Sequence, residues 1–163
     1  MNNIGIYPGT FDPMTNGHMN IVLRSLKIVD KLIIGVADNP NKKPLLSIGD
    51  RIDIIKNDIL INNISEKKIQ IQPVKGLLTD FATSFNAKCI IRGLRVVSDF
   101  EYEFQMTGMN FKLNPELETI FLMTSDNNSF ISSNLVKEVH NLGGDVSKFV
   151  SKNTIKILNN KNS

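Results

Sequence analysis

Short apolar runs rich in Ile, Val and Phe alternate along this chain with longer segments of helical periodicity. The runs have the length and composition of buried β-strands, and they fall at residues 3–8, 31–37, 68–74, 88–92 and 118–124. The helical segments cover residues 17–29, 77–86, 98–113, 131–142 and 151–160, and another begins at Ser47. Strands and helices that alternate in this way predict an α/β fold around a parallel sheet.

The alternation is typical of a doubly wound, Rossmann-like domain, a five-stranded parallel sheet with helices on both faces. The chain has 163 residues, of which 41% are hydrophobic and 21% charged, and this is enough to bury one core. It contains no internal repeat and no linker-like stretch, so residues 1–163 are predicted to form a single domain. We expect a terminal helix over about 151–160 and a frayed tail over 161–163.

Composition and charge indicate where the protein is located and which classes of partner it has. No apolar run approaches the roughly 20 residues that a membrane span needs, and the N-terminus lacks the layout of a secretory signal. The single cysteine, Cys89, cannot form an internal disulfide. The net charge of +3 comes from dispersed Lys and Arg rather than from a basic block. We therefore expect a cytoplasmic protein with no membrane partner and no nucleic-acid partner.

Polar side chains follow the predicted strands, at the end where a doubly wound sheet binds its ligands. Each of four predicted strands is followed by cations or hydroxyls: Thr10 and His18, then Lys42 and Lys43, then Arg92 and Arg95, then a Ser- and Asn-rich run over 124–134. Charge-assisted hydrogen bonds from such groups are strong. The edge of the sheet at which these strands end is therefore predicted to bind an anion with several phosphates.

The loop after the first strand fits such a ligand. Gly9 is expected to let the ligand approach the backbone closely, while Pro8 and Pro13 restrict the loop. The predicted helix opens at Gly17 and His18, where free N–H groups and the positive end of the helix dipole attract phosphate. The imidazole of His18 can donate to a phosphate oxygen whether it is neutral or protonated.

Several common signatures are missing from the sequence. It contains neither the G-x-G-x-x-G of dinucleotide enzymes nor the G-x-x-x-x-G-K-[ST] of P-loop proteins. The G-x-S-x-G elbow of hydrolases is also absent. With His18, His140 and Cys89 as its complete set of His and Cys, the chain offers too few ligands for a zinc site.

Two motifs resemble those of the nucleotidyltransferases. Thr15-Asn-Gly-His18, which follows Gly9-Thr-Phe-Asp-Pro13, is similar to their (H/T)-x-G-H signature, and Ile131-Ser-Ser-Asn-Leu-Val-Lys-Glu138 resembles their second motif. Together with Ile91-Arg-Gly-Leu-Arg95 and Asp99-Phe-Glu-Tyr-Glu103, these blocks resemble the phosphopantetheine adenylyltransferases in particular. The resemblance extends from residue 4 to about residue 150.

The resemblance implies a reaction and an assembly. Members of that family transfer the adenylyl group of ATP to 4′-phosphopantetheine, which gives dephospho-coenzyme A and pyrophosphate. Mg²⁺ accompanies the ATP, and coenzyme A is a possible feedback ligand. The resemblance further implies a homohexamer.

The resemblance also implies roles for individual residues. Thr10 would orient the attacking phosphate, His18 would stabilise the transition state, and Lys42 and Arg92 would hold the pantetheine phosphate. Leu78 would contact the pantetheine arm through its backbone. The implied ATP-binding residues are Thr10, Phe11, His18, Gly93, Leu94, Arg95, Glu103, Asn128, Ser129, Phe130, Ile131, Ser132, Ser133 and Asn134.

Some alternatives remain open on the sequence alone. Asn134 and Asn128 depart from the family pattern, which commonly has Ser or Thr at the first position and an aromatic residue at the second. Arg95 can contact ATP or form an ion pair with Asp99 or Glu103. Two rival functions are a nucleotidyltransferase for another phosphorylated substrate and a nucleotide-binding sensor without turnover. The first rival usually carries His at the position of Thr15.

Overall fold

The structure is a computed structural model that describes residues 3–38, 43–124 and 130–161. Its strands are β1 (Ile4–Gly9), β2 (Lys31–Ala37), β3 (Ile69–Val74), β4 (Cys89–Leu94) and β5 (Glu118–Met123). Its helices are α1 (Asn16–Ser25), α2 (Ile48–Ile61), α3 (Leu78–Ser84), α4 (Val97–Leu113), α5 (Ser133–Asn141) and α6 (Lys152–Lys161). A short 3-10 turn, Glu66–Lys68, precedes β3.

The five strands form one parallel sheet in the order β3-β2-β1-β4-β5. The chain builds the sheet outward from β1 through β2 to β3, then returns to the other side of β1 for β4 and β5. The direction of winding therefore changes between β1 and β4. In doubly wound sheets the crevice at this change of direction is where ligands bind, and the predicted fold class is confirmed.

Helices cover both faces of the sheet because neighbouring residues of a strand point to opposite sides. On one face, Tyr7, Ile34 and Ile91 belong to a large apolar cluster to which α1, α2, α5 and α6 contribute. On the other face, Ile6 and Ile33 pack against α3. The helix α4 lies on this second face too, since its Phe100 ring meets Phe121 of β5 with centroids 5.7 Å apart.

The first helix is shorter than the apolar periodicity predicted. It starts at Asn16, one residue early, because Thr15 caps it, and it ends at Ser25 instead of residue 29. The next residues form turns: Ile28 N–H and Val29 N–H both donate to the carbonyl of Ser25. Val29 is nevertheless buried. The predicted helical backbone over residues 26–29 was therefore wrong.

The other elements differ from the predictions mainly at their ends. The helix α2 begins at Ile48, one residue after the predicted start, because Ser47 is its cap and bonds Asp50. Similarly, α5 begins only at Ser133 because Ser132 is its cap. Gly143 follows α5 with φ of 79°, the left-handed conformation expected there. The helix α6 includes Lys161, which had been assigned to the frayed tail, and its ammonium pairs with Asp50 at 3.0 Å. No helix among the described residues is long and apolar enough to cross a membrane.

Candidate active site

A cleft of about 480 Å³ opens at the carboxyl ends of β1 and β4, where the winding of the sheet changes direction. Residues from the ends of both strands and from the start of α1 and α5 form its walls. Ten of the residues implied by the family resemblance line this one cleft: Thr10, Phe11, His18, Arg92, Gly93, Arg95, Ile131, Ser132, Ser133 and Asn134.

The remaining implied residues are not part of the cleft wall or fall outside the described structure. Leu94 is buried at the end of β4, and Leu78 opens α3 and packs against the apolar cluster of the second face. Phe130 is exposed and its ring meets that of Phe149 edge-on. Glu103 lies on α4 and reaches the cleft only through Arg92. Three implied residues lie outside the described residues: Lys42, Asn128 and Ser129.

The loop after β1 owes its shape to Phe11. This residue has φ of 49°, and its ring is almost fully buried. A Cβ atom on Gly9 would come within 2.8 Å of that ring. Glycine at position 9 therefore makes room for the Phe11 ring. Gly9 also lines the cleft, and the close approach of a ligand to its backbone stays a prediction.

His18 uses its two ring nitrogens differently. Its Nδ1 accepts the backbone N–H of Thr15 at 3.0 Å, while the His18 N–H donates to Thr15 Oγ1 at 3.4 Å, which completes a capping box. Burial, with a smaller contribution from the charge of Arg95, lowers the pKa of His18 to about 4. The ring is thus neutral near pH 7, and because Nδ1 is an acceptor, the proton resides on Nε2. His18 offers one N–H donor beyond the cap.

The first turn of α1 presents a backbone donor at the same place. Asn16 N–H is satisfied by the carbonyl of Phe149 at 2.8 Å, and His18 N–H by Thr15. For the intervening Gly17, which lines the cleft, no described residue accepts the backbone N–H. A helix N-terminus with an available N–H and a positive dipole end is suited to a phosphate oxygen.

Arg92 and Arg95 both have carboxylate partners in the chain. Arg92 Nε donates to Glu103 Oε2 at 2.6 Å, and a second contact joins Nη2 to Oε1. Arg92 Nη1 also donates to the carbonyl of Pro8 at 3.1 Å, which fixes the guanidinium beside β1. Arg95 pairs with Asp99 at 3.2 Å. The ion-pair alternative for Arg95 is therefore present, and a ligand phosphate would have to share these guanidinium groups with the two carboxylates.

Comparisons with known proteins show the family to which the chain belongs. The sequence profile of the cytidylyltransferase-like family matches residues 6–139. The chain is 55% identical over 161 residues to the phosphopantetheine adenylyltransferase of Wolbachia pipientis subsp. Culex pipiens, covering 99% of this chain and 94% of that protein. It is 50% identical over 155 residues to the enzyme of the same name from Rhodospirillum centenum, covering 95% and 85%.

The chain belongs to the phosphopantetheine adenylyltransferase family. As a member of it, the protein is a nucleotidyltransferase, and this membership argues against the sensor without turnover. A solved structure with a similar fold is the bifunctional NMN adenylyltransferase/ADP ribose pyrophosphatase from Francisella tularensis, with a TM-score of 0.74 and 19% identity. The superposition covers 98% of this chain and 49% of that one. This likeness concerns the fold alone.

Two residues of the phosphopantetheine adenylyltransferase motifs have a structural role that the sequence motifs alone did not indicate. Asp12 is buried and accepts from Leu45 N–H at 3.0 Å and Leu46 N–H at 2.9 Å. The ammonium of Lys137 donates to the same carboxylate at 2.6 Å. Both Asp12 and Lys137 belong to the blocks that carry the family resemblance, so the signal was present although no role had been given to them.

A third missed residue, Arg51, has no motif around it. It lies on α2, on the same face as the core residues Ile54 and Ile55, and it is buried as they are. The signal that could have found it is a charged residue at a core position of a helix, because such a charge needs buried partners.

Proposed function

We propose that this family member transfers the adenylyl group of ATP to 4′-phosphopantetheine and releases pyrophosphate, the penultimate step of coenzyme A synthesis. The observation that supports this proposal most is the start of α1. There, the Gly17 N–H and the second ring nitrogen of His18 are available beside the same cleft as Thr10, Arg92 and Arg95. Such a set of donors suits two phosphorylated substrates held side by side.

The proposed reaction forms no covalent bond to the protein. A phosphate oxygen of phosphopantetheine attacks the α-phosphorus of ATP, one P–O bond forms, and the P–O bond to pyrophosphate breaks. The nucleophile is already anionic and gives up no proton, so no general base is needed. The tasks left to the protein are to align the two anions and to stabilise the charge that develops on the α-phosphate.

The proposed roles follow from these tasks. The hydroxyl of Thr10 orients the attacking phosphate, and the Nε2–H of His18 donates to the α-phosphate oxygen as its charge grows. Arg92, with Lys42, holds the pantetheine phosphate and reduces its repulsion from ATP. Leu78 offers a backbone contact to the pantetheine arm.

The ATP side of the cleft is proposed to include three segments. The ATP-binding residues of this proposal are Thr10, Phe11, His18, Gly93, Leu94, Arg95, Glu103 and residues 128–134. Glu103 holds the guanidinium of Arg92, the proposed ligand of the pantetheine phosphate, in a bidentate pair, so its role on the ATP side would come in addition to this pair. Asn134, which replaces the usual hydroxyl residue, retains an amide donor for a phosphate oxygen.

Mg²⁺ is proposed to enter with ATP. Among the described residues, no three His, Cys, Asp or Glu side chains are grouped so that they could hold a metal ion. The donor set therefore fits an ion whose ligands are chiefly phosphate oxygens and water. When bound, Mg²⁺ would supply additional neutralisation of the phosphate charge.

Three further features remain predictions from the sequence. These are the homohexamer, feedback by coenzyme A, and the cytoplasmic location. The exposed apolar side chains of α4 support an assembly of some kind, because Phe104, Met109 and Phe111 are left largely uncovered by the described residues.

The decisive experiment offers MgATP to the protein with 4′-phosphopantetheine and, separately, with nicotinate mononucleotide. Pyrophosphate release is followed, and the adenylylated product is identified by mass. We expect turnover with phosphopantetheine and none with nicotinate mononucleotide. Turnover only with nicotinate mononucleotide would favour the rival nucleotidyltransferase. ATP binding by calorimetry without pyrophosphate release from either substrate would favour the sensor.

A further inference from the structure

Arg51 is a buried cation directly behind the loop that carries Thr10. Its side chain is 1% exposed. One guanidinium nitrogen, Nη1, donates to the carbonyl of Thr10 at 3.0 Å and to the carbonyl of Ala37 at 2.8 Å. Its Nε donates to the carbonyl of Ser47 at 3.4 Å. A single side chain on α2 thus joins the carboxyl ends of β1 and β2.

The charge of Arg51 has little compensation from other side chains. Its one carboxylate partner among the described residues is Asp38, at 3.4 Å, and the side chain of Asp38 is 60% exposed. An exposed carboxylate at this distance is screened by water and balances a buried charge weakly. Burying a guanidinium in this way is costly, and carbonyl oxygens provide most of the compensation. A buried methionine or leucine would fill the same space without this cost, so packing alone does not explain an arginine here.

The planar guanidinium imposes a geometry that a simple packing residue would not. Arginine donates through several N–H groups in a fixed fork, so two carbonyls bound to one end of it are held at set positions relative to each other. The bound carbonyls belong to Thr10, which lines the cleft, and to Ala37, at the last position of β2. Holding the Thr10 carbonyl fixes the backbone from which its hydroxyl projects.

We propose that Arg51 is a positioning residue for the transfer reaction, acting through Thr10. It anchors the Thr10 carbonyl to the end of β2, and this anchoring keeps the Thr10 hydroxyl in the orientation that aligns the attacking phosphate. The inference rests on the proposed function, since it assigns Arg51 a part in the same reaction. Arg51 itself does not line the cleft.

The test is a double-mutant cycle with Arg51→Lys and Thr10→Ala. Arg51→Ala is avoided because it removes every anchoring bond and leaves a cavity. Lysine keeps the charge and the length of the side chain but loses the fork. A misplacement of a reacting group by about 1 Å can lower the reaction rate about a hundredfold. We expect Arg51→Lys to lower kcat at least about tenfold, with smaller changes in KM for both substrates.

The effect of Arg51→Lys on kcat, measured with and without Thr10→Ala, distinguishes a positioning role from a purely structural one. If Arg51 acts through the Thr10 hydroxyl, then Arg51→Lys should cost less than about twofold in kcat once Thr10 is alanine. Equal costs in both backgrounds would overturn the proposal, as would full activity of Arg51→Lys. Arg51→Gln, which keeps two donors without the charge, is measured in parallel. Loss of folding in both Arg51 variants, judged by thermal unfolding, would also overturn the proposal in favour of a purely structural role.

A matched control lies on the same helix. Lys56 of α2 is 65% exposed. Among the described residues, its one ion-pair partner is the exposed Asp53, one helical turn away at 3.9 Å. Lys56→Gln should leave kcat and both KM values unchanged. Failure of the proposed function appears differently: the wild-type protein would then release no pyrophosphate from MgATP and phosphopantetheine, whatever the state of Arg51.

Discussion

His18 serves the helix and the cleft at once. Its Nδ1 closes the capping box of α1, and this bond leaves the proton on the other nitrogen, which is free to donate to a ligand. The lowered pKa, about 4, keeps the ring neutral near pH 7, so the donor role does not depend on an imidazolium. The local fold therefore sets both the tautomer and the charge state in which this residue would act.

The two roles of His18 can be separated by substitution. Gln at the same position can still accept the Thr15 N–H, because a Gln at the third helical position completes a capping box as well. Its amide NH₂ group also donates, but from a longer and more flexible side chain, so this donor is not held where the Nε2–H of the ring lies. We expect His18→Gln to lower kcat about a hundredfold with a smaller change in KM, since the displaced donor acts mainly in the transition state.

Steady-state kinetics and thermal unfolding together check this prediction. His18→Ala serves as the comparison, because it removes both the donor and the cap and should also lower the midpoint of thermal unfolding. Near wild-type kcat in His18→Gln would contradict the role in the transition state. An unfolding midpoint as low as that of His18→Ala would contradict the separation of roles.

At the scale of elements, Asp12 ties three parts of the chain together. The residue belongs to the loop after β1, accepts two N–H groups from the segment before α2, and pairs with Lys137 of α5. These contacts join regions far apart in sequence around one buried carboxylate. The loop, the segment and the helix are expected to lose their mutual positions together when that charge is removed.

The substitution Asp12→Asn should therefore destabilise the whole domain. It keeps the shape of the side chain but leaves the Lys137 ammonium without its partner, and breaking such a pair by removing one member costs about 3 kcal/mol. Chemical denaturation measures the free energy of unfolding. Asp53→Asn is the control, because the pair of Asp53 with Lys56 is exposed and its loss should cost at most about 0.5 kcal/mol. Equal losses in the two variants would show that Asp12 has no special structural role.

The sequence was most informative about buried strands and least informative about contacts between distant elements. The limits of β2 were predicted without error, since an uninterrupted apolar run marks a strand buried on both faces. The end of α1 was misjudged because Val29 is buried beyond the end of the helix, and apolar periodicity does not distinguish a buried helical residue from a buried residue in a loop. The motifs identified His18 and Arg92, but the hydrogen bonds of Arg51 depend on carbonyl groups, which any residue provides. No side-chain pattern can indicate such partners.

At the scale of the whole molecule, the two faces of the sheet are covered differently. The helix α4 presents a series of bulky apolar side chains that the described residues leave open, among them Val97, Phe104 and Met109. Phe100 and Tyr102 of this helix are also exposed, to 43% and 63%. A run of such side chains on one helix is more than the scattered exposure usual for a monomer. We therefore expect copies of the chain to associate through α4.

Phe104→Glu tests this expectation at the centre of the exposed surface. The side chain of Phe104 is 63% exposed, and glutamate is a good helix former, so the fold of one chain should persist. In an assembled protein the same change would bury an unpaired charge, which is strongly unfavourable. We expect the mass from size-exclusion chromatography with light scattering to fall from that of an oligomer to that of one chain or a smaller assembly. The control Leu60→Glu, at a 68% exposed position of α2 on the other face of the sheet, should leave the mass unchanged. A mass equal to that of the wild-type oligomer for Phe104→Glu would place the contact elsewhere, and a wild-type mass of 18.3 kDa would exclude the assembly itself.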